Sequence, residues 1–364
     1  MKIRTPNEYI VQENLLNDLG DHVKKYGNNI LIVASKGGFE RFQFIFENSL
    51  NNNIISWKKF IFTGFPTFES ANKISDFAVT HQVQAIVALG GGRVIDTVKI
   101  AGSYAKLPVI AVPTIAATCA SWAAVSIVYD DNGAYQTVYF NQTCPELVLV
   151  DSKVIFSAPK RYLYAGVIDT FAKWYEISPY LKYFKSADVT LKTVVNIAKD
   201  AFVSLKQLTD SAISEAKVGI YNESAYAVID AIIFQAGLTG SLESGKLYQG
   251  IAHPFYDAST HISKSNDYLH GEKVGFGLLI QKHLEQIDEN EWQQTLALFK
   301  HFNNVVTLED LGITYQEVEL IAKHIWTNRS EQVLALNLAA SQDEIAEGII
   351  QANQRIKKWL VQNE

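Results

Sequence analysis

A carboxylate and two imidazoles are the residues of this 364-residue chain best suited to chemistry. Asp169 lies in AGVIDTFAKWYE (165–176), where Ala165, Ile168, Ala172 and Tyr175 recur at helical spacing and form an apolar face. Asp169 falls beside Ile168 on that face, and a carboxylate there is costly to bury without a partner. A helix cap or a backbone N–H is the plainest partner. His253 in GIAHPFYDAS (250–259), at the end of a long helical pattern, offers another, as does His270 in LHGEKVGFG (269–277), which opens a further helix. The two histidines stand 17 residues apart, so only a tertiary arrangement can bring them to Asp169. One carboxylate and two imidazoles make three ligands with an open position, the pattern of a catalytic zinc or iron site. A helix dipole opposes protonation at its start, so a neutral, ligating imidazole suits His270. Spacing alone does not choose His253 over His261, which is as good a ligand on chemistry. His22, His81, His283, His301 and His324 lie in polar helical stretches and read as surface residues.

The second constellation is ALGGGRVIDT (88–97). An apolar run, Ala85 to Leu89, leads into it, and a helical pattern with Val94, Ile95, Val98 and Ala101 on one face follows. Strand, glycine turn and helix in that order make a phosphate cradle. Glycine lets the backbone approach an anion closely, and the helix N-terminus offers free N–H groups and partial positive charge. The turn is not the full dinucleotide fingerprint, because Ile95 stands where the third glycine belongs.

Elements must position these two groups. Residues 29–34, 58–63, 85–89, 108–112 and 147–151 read as strands, and 38–50 and 69–81 as helices, a rhythm that predicts a parallel sheet with crossover helices. SIVYDDNGAYQTVYF (126–140) alternates around a DDNG turn and predicts a hairpin. Past Pro159 long helical patterns dominate. The expected division is an α/β dinucleotide-binding domain over 1–159 and an all-helical domain over 160–364, which carries the metal and substrate.

Composition narrows the function classes. The chain is 48% hydrophobic and 19% charged, enough for a sizeable core. A net charge of −6 with no long basic block argues against nucleic acid as a partner. Two cysteines, Cys119 and Cys144, make no disulfide framework. No apolar run approaches the ~20 residues needed to span a bilayer, and MKIRTPNEYIVQENLL lacks a signal-peptide core. A cytoplasmic protein that acts on a small molecule, away from membranes, is the expectation.

Taken together, ALGGGRVIDTVK, VPTIAATCASWAAVSIVY, AGVIDTFAKWYE and LHGEKVGFG resemble the iron-containing (group III) alcohol dehydrogenase family. The resemblance runs along essentially the whole chain and is to the glycerol-dehydrogenase-like branch. It implies a dinucleotide-binding domain, a helical domain, a cofactor in the cleft between them and a homo-oligomer. By motif match, Gly90, Gly91, Gly92 and Arg93 hold the pyrophosphate, and Asp96 steadies the turn. Thr114, Ala117, Val125 and Tyr129 line the nicotinamide side. Asp169, His253 and His270 fall on the positions of the ligands of one divalent metal, zinc or iron, which favours His253 over His261. Larger members place a histidine four residues after the aspartate. Here that residue is Lys173, which fits the three-ligand branch.

Two departures shape the functional expectation. Glycerol dehydrogenases carry an aspartate in the segment that here reads Thr114-Ile115-Ala116-Ala117-Thr118-Cys119. A thiol accepts hydrogen bonds weakly and carries no charge, which disfavours glycerol and admits a carboxylate. The segment is most similar to the hydroxycarboxylate dehydrogenases, so transfer of hydride between NAD(P)H and a 2-oxo or 2-hydroxy acid is expected, with Cys119 and Lys173 toward the substrate. A glycerol or other polyol dehydrogenase using NAD is the alternative. The second departure lies after strand LIVAS, where an NAD enzyme presents a carboxylate to the ribose. Ser35 and Lys36 stand there instead, and favour NADP over NAD. A sugar-phosphate cyclase (lyase) of the dehydroquinate synthase type shares the two-domain plan. It needs a basic cluster, and 240–275 offers only Lys246, Lys264 and Lys273.

Overall fold

A computed structural model describes residues 2–183, 188–243 and 247–363; Lys246 lies outside them. The chain opens with strands β1 (Lys2–Ile3) and β2 (Glu8–Gln12) and a short helix α1 (Leu19–Val23). Alternation follows: β3 (Asn29–Ala34), α2 (Lys36–Asn52), β4 (Ser56–Ile61), α3 (Phe68–Thr80), β5 (Ala85–Gly90), α4 (Gly92–Ala105) and β6 (Val109–Pro113). A hairpin, β7 (Val125–Tyr129) and β8 (Tyr135–Phe140), precedes β9 (Leu147–Asp151). Then come α5 (Ser152–Ser157), α6 (Lys160–Ile177), α7 (Tyr180–Tyr183), α8 (Val189–Ala216), α9 (Glu223–Asp230) and α10 (Ala236–Ser241). After β10 (Leu242–Glu243) the chain finishes with α11 (Ala252–Ser259), α12 (His270–Leu284), α13 (Glu289–His301), α14 (Tyr315–Ala335) and α15 (Gln342–Gln362). The all-helical expectation for 160–364 misses β10, which pairs antiparallel with β1.

Six strands form one parallel sheet in the order β2-β9-β6-β5-β3-β4. Its inner strands are unbroken apolar runs because both faces are covered. Side chains of β3 alternate: Ile30, Ile32 and Ala34 join the cluster with Phe39, Phe42 and Phe46 of α2, while Leu31 and Val33 join the opposite cluster. That second cluster runs on without a break into Leu163, Val167 and Ile168 of α6 and Val274 and Phe276 of α12. The sheet half and the helical half therefore share one core. Each fully buried Leu, Ile or Phe contributes about 1.5–3 kcal/mol.

From β3 the chain steps outward to β4 and returns on the other side of β3 as β5. The strand order reverses between β3 and β5, and ligands of such sheets sit beyond the strand ends at that point. Ala34 pairs with Leu89 across it, so Ser35 and Gly90 emerge side by side. The DDNG turn forms as expected, with Asp130 Oδ1 accepting from the N–H groups of Asn132 and Ala134 and Gly133 at φ 87°.

Helix α12 is buried without interruption from Gly271 to Lys282, its apolar middle from Val274 to Ile280 flanked by the buried polar residues Glu272, Lys273, Gln281 and Lys282. It reaches α6 because Gly271 has no side chain: a Cβ there would lie 1.9 Å from the carbonyl oxygen of Ala165. Among the described residues no helix is long and apolar enough to cross a membrane.

Candidate active site

Asp169 sits midway along α6, and only 3% of it is exposed. His270 is the first residue of α12, and its Nε2 lies 3.0 Å from Asp169 Oδ1. His253 Nε2 approaches the same oxygen at 3.3 Å. The three donors lie within 4.8 Å of one another and are the metal-capable group found among the described residues. A tetrahedral ion with bonds of ~2.0 Å spaces its donor atoms about 3.3 Å apart. The donor set and its spacing therefore fit a divalent metal with one position left open. His261 is exposed and packs toward the His324 ring at 6.1 Å, away from the cluster.

His253 is the second residue of the eight-residue α11, not the end of a long helix as its sequence pattern implies. What holds it is Glu176, which the sequence reading did not single out. The Glu176 carboxylate accepts from His253 Nδ1 and from the backbone N–H groups of Ala252 and His253. It thus caps α11 and fixes the tautomer, leaving Nε2 to face Asp169. The signal was present in the sequence: Asp169, Lys173 and Glu176 recur at i, i+4 and i+7, one stripe of α6.

Charge is tightly arranged here. Burial opposes ionisation of Asp169, yet His270, Lys173 and His253 outweigh it and hold its carboxyl well below the usual range. Burial lowers the His270 pKa despite the pull of Asp169, so its imidazole stays neutral. Burial and the nearby Lys173 act the same way on His253, but Glu176 and Asp169 together more than offset them and raise the pKa to about 9, so Nε2 must give up its proton to a metal before it can serve as a ligand. The Lys173 Nζ stands 3.4 Å from His253 Nε2. Burial disfavours its charge, and the carboxylates of Asp169 and Glu176 keep the ammonium protonated. Burial pushes the Cys119 thiol up, with Lys173 the strongest opposing charge. Asp169, Lys173, Cys119, His253 and His270 thus share one electrostatic neighbourhood.

On the sheet side, Gly90 ends β5 and Gly91 caps α4, whose N-terminus faces the strand ends. A Cβ on Gly91 would come within 2.7 Å of Ile115 Cδ1, so the turn and the 114–124 loop meet only because this residue is glycine. Thr114 donates its N–H to the Gly90 carbonyl. Arg93 is exposed, with its guanidinium 4.2 Å from the Phe65 ring. Asp96 does not steady the glycine turn as expected. As the fifth residue of α4 it points inward, pairs with Lys99 at 2.8 Å and accepts the Ile127 N–H. Lys99, also missed in the sequence, donates to the carbonyls of Ala120, Ala123 and Val125 and pins that loop onto α4.

Ala117 is half-buried in the same loop, and Val125 opens β7. Tyr129 closes β7, and its hydroxyl meets that of Tyr256 at 2.6 Å. The Tyr256 ring stands edge-on to His270 at 4.1 Å. This pair joins the hairpin to the histidine cluster. Ser35 Oγ caps α2 by accepting the Gly38 N–H, and Lys36 is exposed with Glu40 at 3.8 Å. Of the histidines read as surface residues, His301 is exposed, whereas His22, His81, His283 and His324 are half-buried. Lys264 is exposed and Lys273 buried, which does not make the basic cluster a sugar-phosphate site needs. A cavity of about 370 Å³ beside Arg161 and Glu272 includes none of the three cluster residues.

Comparison with known proteins follows the same lines. The model of the iron-containing alcohol dehydrogenase family matches residues 6–152. Hydroxycarboxylate dehydrogenase A of Escherichia coli is 32% identical over 242 residues, covering 66% of this chain and 67% of its own. The chain belongs to the iron-containing alcohol dehydrogenase family. It is an oxidoreductase of that family, whose members work with NAD(H) and a divalent metal. A glycerol dehydrogenase of Pseudomonas putida is 28% identical over 318 residues, 86% of this chain and 85% of its own. In fold, the chain matches a crystal structure of glycerol dehydrogenase from Schizosaccharomyces pombe with a TM-score of 0.87, at 23% identity, over 99% of this chain and 92% of that one.

Proposed function

We propose that the protein transfers hydride between a nicotinamide dinucleotide and a small alcohol or its carbonyl counterpart, with metal assistance. The observation that carries this reading is the convergence of Asp169, His253 and His270 from three helices on one point. A divalent ion held there supplies Lewis acidity, and the nicotinamide gives or takes the hydride. The chain's own residues do the rest. Glu176 keeps the proton on His253 Nδ1 and so presents the Nε2 lone pair. Burial keeps His270 neutral for the same purpose. Gly90, Gly91, Gly92 and Arg93 cradle the pyrophosphate at the N-terminus of α4. Thr114, Ala117 and Val125 line the nicotinamide side. The Tyr129–Tyr256 pair walls that side and excludes water next to His270.

The names of the relatives support a polyol of the glycerol type as substrate. A second reading, a 2-oxo or 2-hydroxy acid, is supported by Cys119 and Lys173 at the cluster and by the likeness to hydroxycarboxylate dehydrogenase A. For the cofactor, the relatives support NAD(H). NADP(H) draws support from the missing carboxylate after β3, although Glu40 partly offsets Lys36. A panel of glycerol, glycolaldehyde and short 2-oxo acids, each with NADH or NADPH (NAD or NADP for glycerol oxidation), tests both choices. Metal-dependent turnover of at least one carbonyl or alcohol is expected. Full activity after complete removal of bound metal would overturn the reading.

A further inference from the structure

We propose that Arg161 and Glu272, which are not ligands of the three-residue cluster, form a positioning clasp that sets where His270 stands opposite Asp169. This rests on the reading of the cluster as a metal centre, and the test below separates the two.

Arg161, Ala165 and Asp169 recur at i, i+4 and i+8 on α6 and so share one stripe. The start of α12 lies against that stripe in a fixed register. Asp169 meets His270, with Oδ1 and Nε2 3.0 Å apart. Ala165 meets Gly271, whose Cα leaves no room for a Cβ against the Ala165 carbonyl. Arg161 meets Glu272: its Nε donates to Oε1 at 2.5 Å and its Nη2 to Oε2 at 2.7 Å. Consecutive residues of α12 are thus matched to successive turns of α6. The middle contact only limits how close the helices come, whereas a guanidinium fork on a carboxylate fixes orientation as well as distance. Arg161 Nη2 also donates to the Asp267 carbonyl at 2.9 Å. One side chain therefore grips the chain three residues before His270 and two residues after it. Glu272 ties that grip to the helix itself. Leu269, the N-cap of α12, has no side-chain oxygen to offer, and Glu272 Oε2 accepts the Leu269 N–H at 2.7 Å. Glu272 is buried, and a buried carboxylate needs a charged partner. Without Arg161 it reaches water only by moving the first turn of α12, where His270 sits. Metal–ligand distances hold to within about 0.2 Å, so a small displacement of that turn is enough to weaken the centre.

The test titrates cobalt(II) into the full-length protein stripped of metal, following both affinity and the visible absorption of the bound ion, which reports its coordination geometry. Arg161→Met should weaken cobalt binding by about tenfold or more and alter the absorption band. Arg161→Lys keeps the charge but not the fork, and should recover part of the affinity. Glu272→Gln keeps an oxygen for the Leu269 N–H while losing the ion pair, and should weaken cobalt as Arg161→Met does; it also carries the test if Arg161→Met does not fold. Arg355→Met is the control. Arg355 pairs with Glu289 at 2.8 Å between α15 and α13, away from the α6–α12 crossing, and its loss should leave cobalt binding unchanged. The Tm of each metal-free protein is read alongside. A lower Tm in Arg161→Met and Glu272→Gln with wild-type cobalt affinity and band overturns the proposal, since the pair then serves folding alone. Equal weakening in Arg355→Met overturns it too, by making the effect one of general stability. Either result leaves the metal centre intact. A wild type that binds no cobalt overturns the underlying reading, and the proposal with it.

Discussion

The two halves of the site are built in opposite ways. On the sheet side, the phosphate cradle is made by consecutive residues, Gly90 to Arg93, at the seam where β5 becomes α4. On the helical side, the cluster is made by residues that never meet in sequence: His270 and Asp169 touch across a separation of 101 residues. The first half depends on backbone shape, and so on the absence of side chains. The second depends on side chains held by other side chains. The cradle should therefore respond to added atoms and the cluster to removed ones, and each should fail without taking the other with it.

The largest separation comes from Asp169→Asn. It should abolish metal binding and lower kcat/KM by about 10³-fold or more, because the charge that develops at the reacting oxygen loses its stabiliser. Dinucleotide affinity, read by fluorescence titration, should stay within about twofold, as expected for a site that shares no partner with the cluster. Equal loss of both would break the comparison. A smaller effect belongs to Glu176→Gln. An amide cannot accept all three of the bonds now made to His253 and Ala252 with the strength of a carboxylate. Metal affinity should fall by about 10- to 100-fold, and turnover should return when metal is added in excess. Gly91→Val tests the other half. Its Cβ would press on Ile115 Cδ1, and the dinucleotide should bind roughly tenfold more weakly, with metal content unchanged.

The difference between the halves is also the difference in what the sequence reveals. ALGGGRVIDT announces strand, turn and helix within ten residues, and the alternating faces of β3 and β5 follow from their apolar runs. The helical half exposes only candidates. His253 and His261 are chemically equal there, and only the resemblance to a family, then the fold, separates them. Glu176 was legible as a neighbour of Asp169 on one stripe of α6, but not as the cap of α11, because that bond crosses 77 residues. Asp96 misled for the opposite reason: it is local to the glycine turn in sequence, yet its helical position turns it inward to Lys99. Ser35 likewise reads as a hydroxyl for a ligand and serves α2 as its N-cap.

The smallest predicted effect concerns α11. Burial raises the Asp257 carboxyl to about 6. The folded protein then binds a proton that the unfolded chain releases near pH 4, so stability falls as pH rises from about 4 to about 6 and stays lower above that. Asp257→Asn should remove this dependence and gain up to about 3 kcal/mol at pH 7, seen as a higher Tm whose advantage vanishes below pH 4. An advantage independent of pH would show that Asp257 acts through packing rather than charge.

The central claim is that three side chains from three helices form one metal centre on which turnover depends. Elemental analysis of the purified wild type and of His270→Ala, each stripped with chelator and reloaded with zinc or iron, tests it most directly. The account predicts about one ion per reloaded wild-type chain, none retained by the variant, and turnover that rises in proportion to the ion bound. A variant that retains its ion, or a stripped wild type that turns over at full rate, would contradict it.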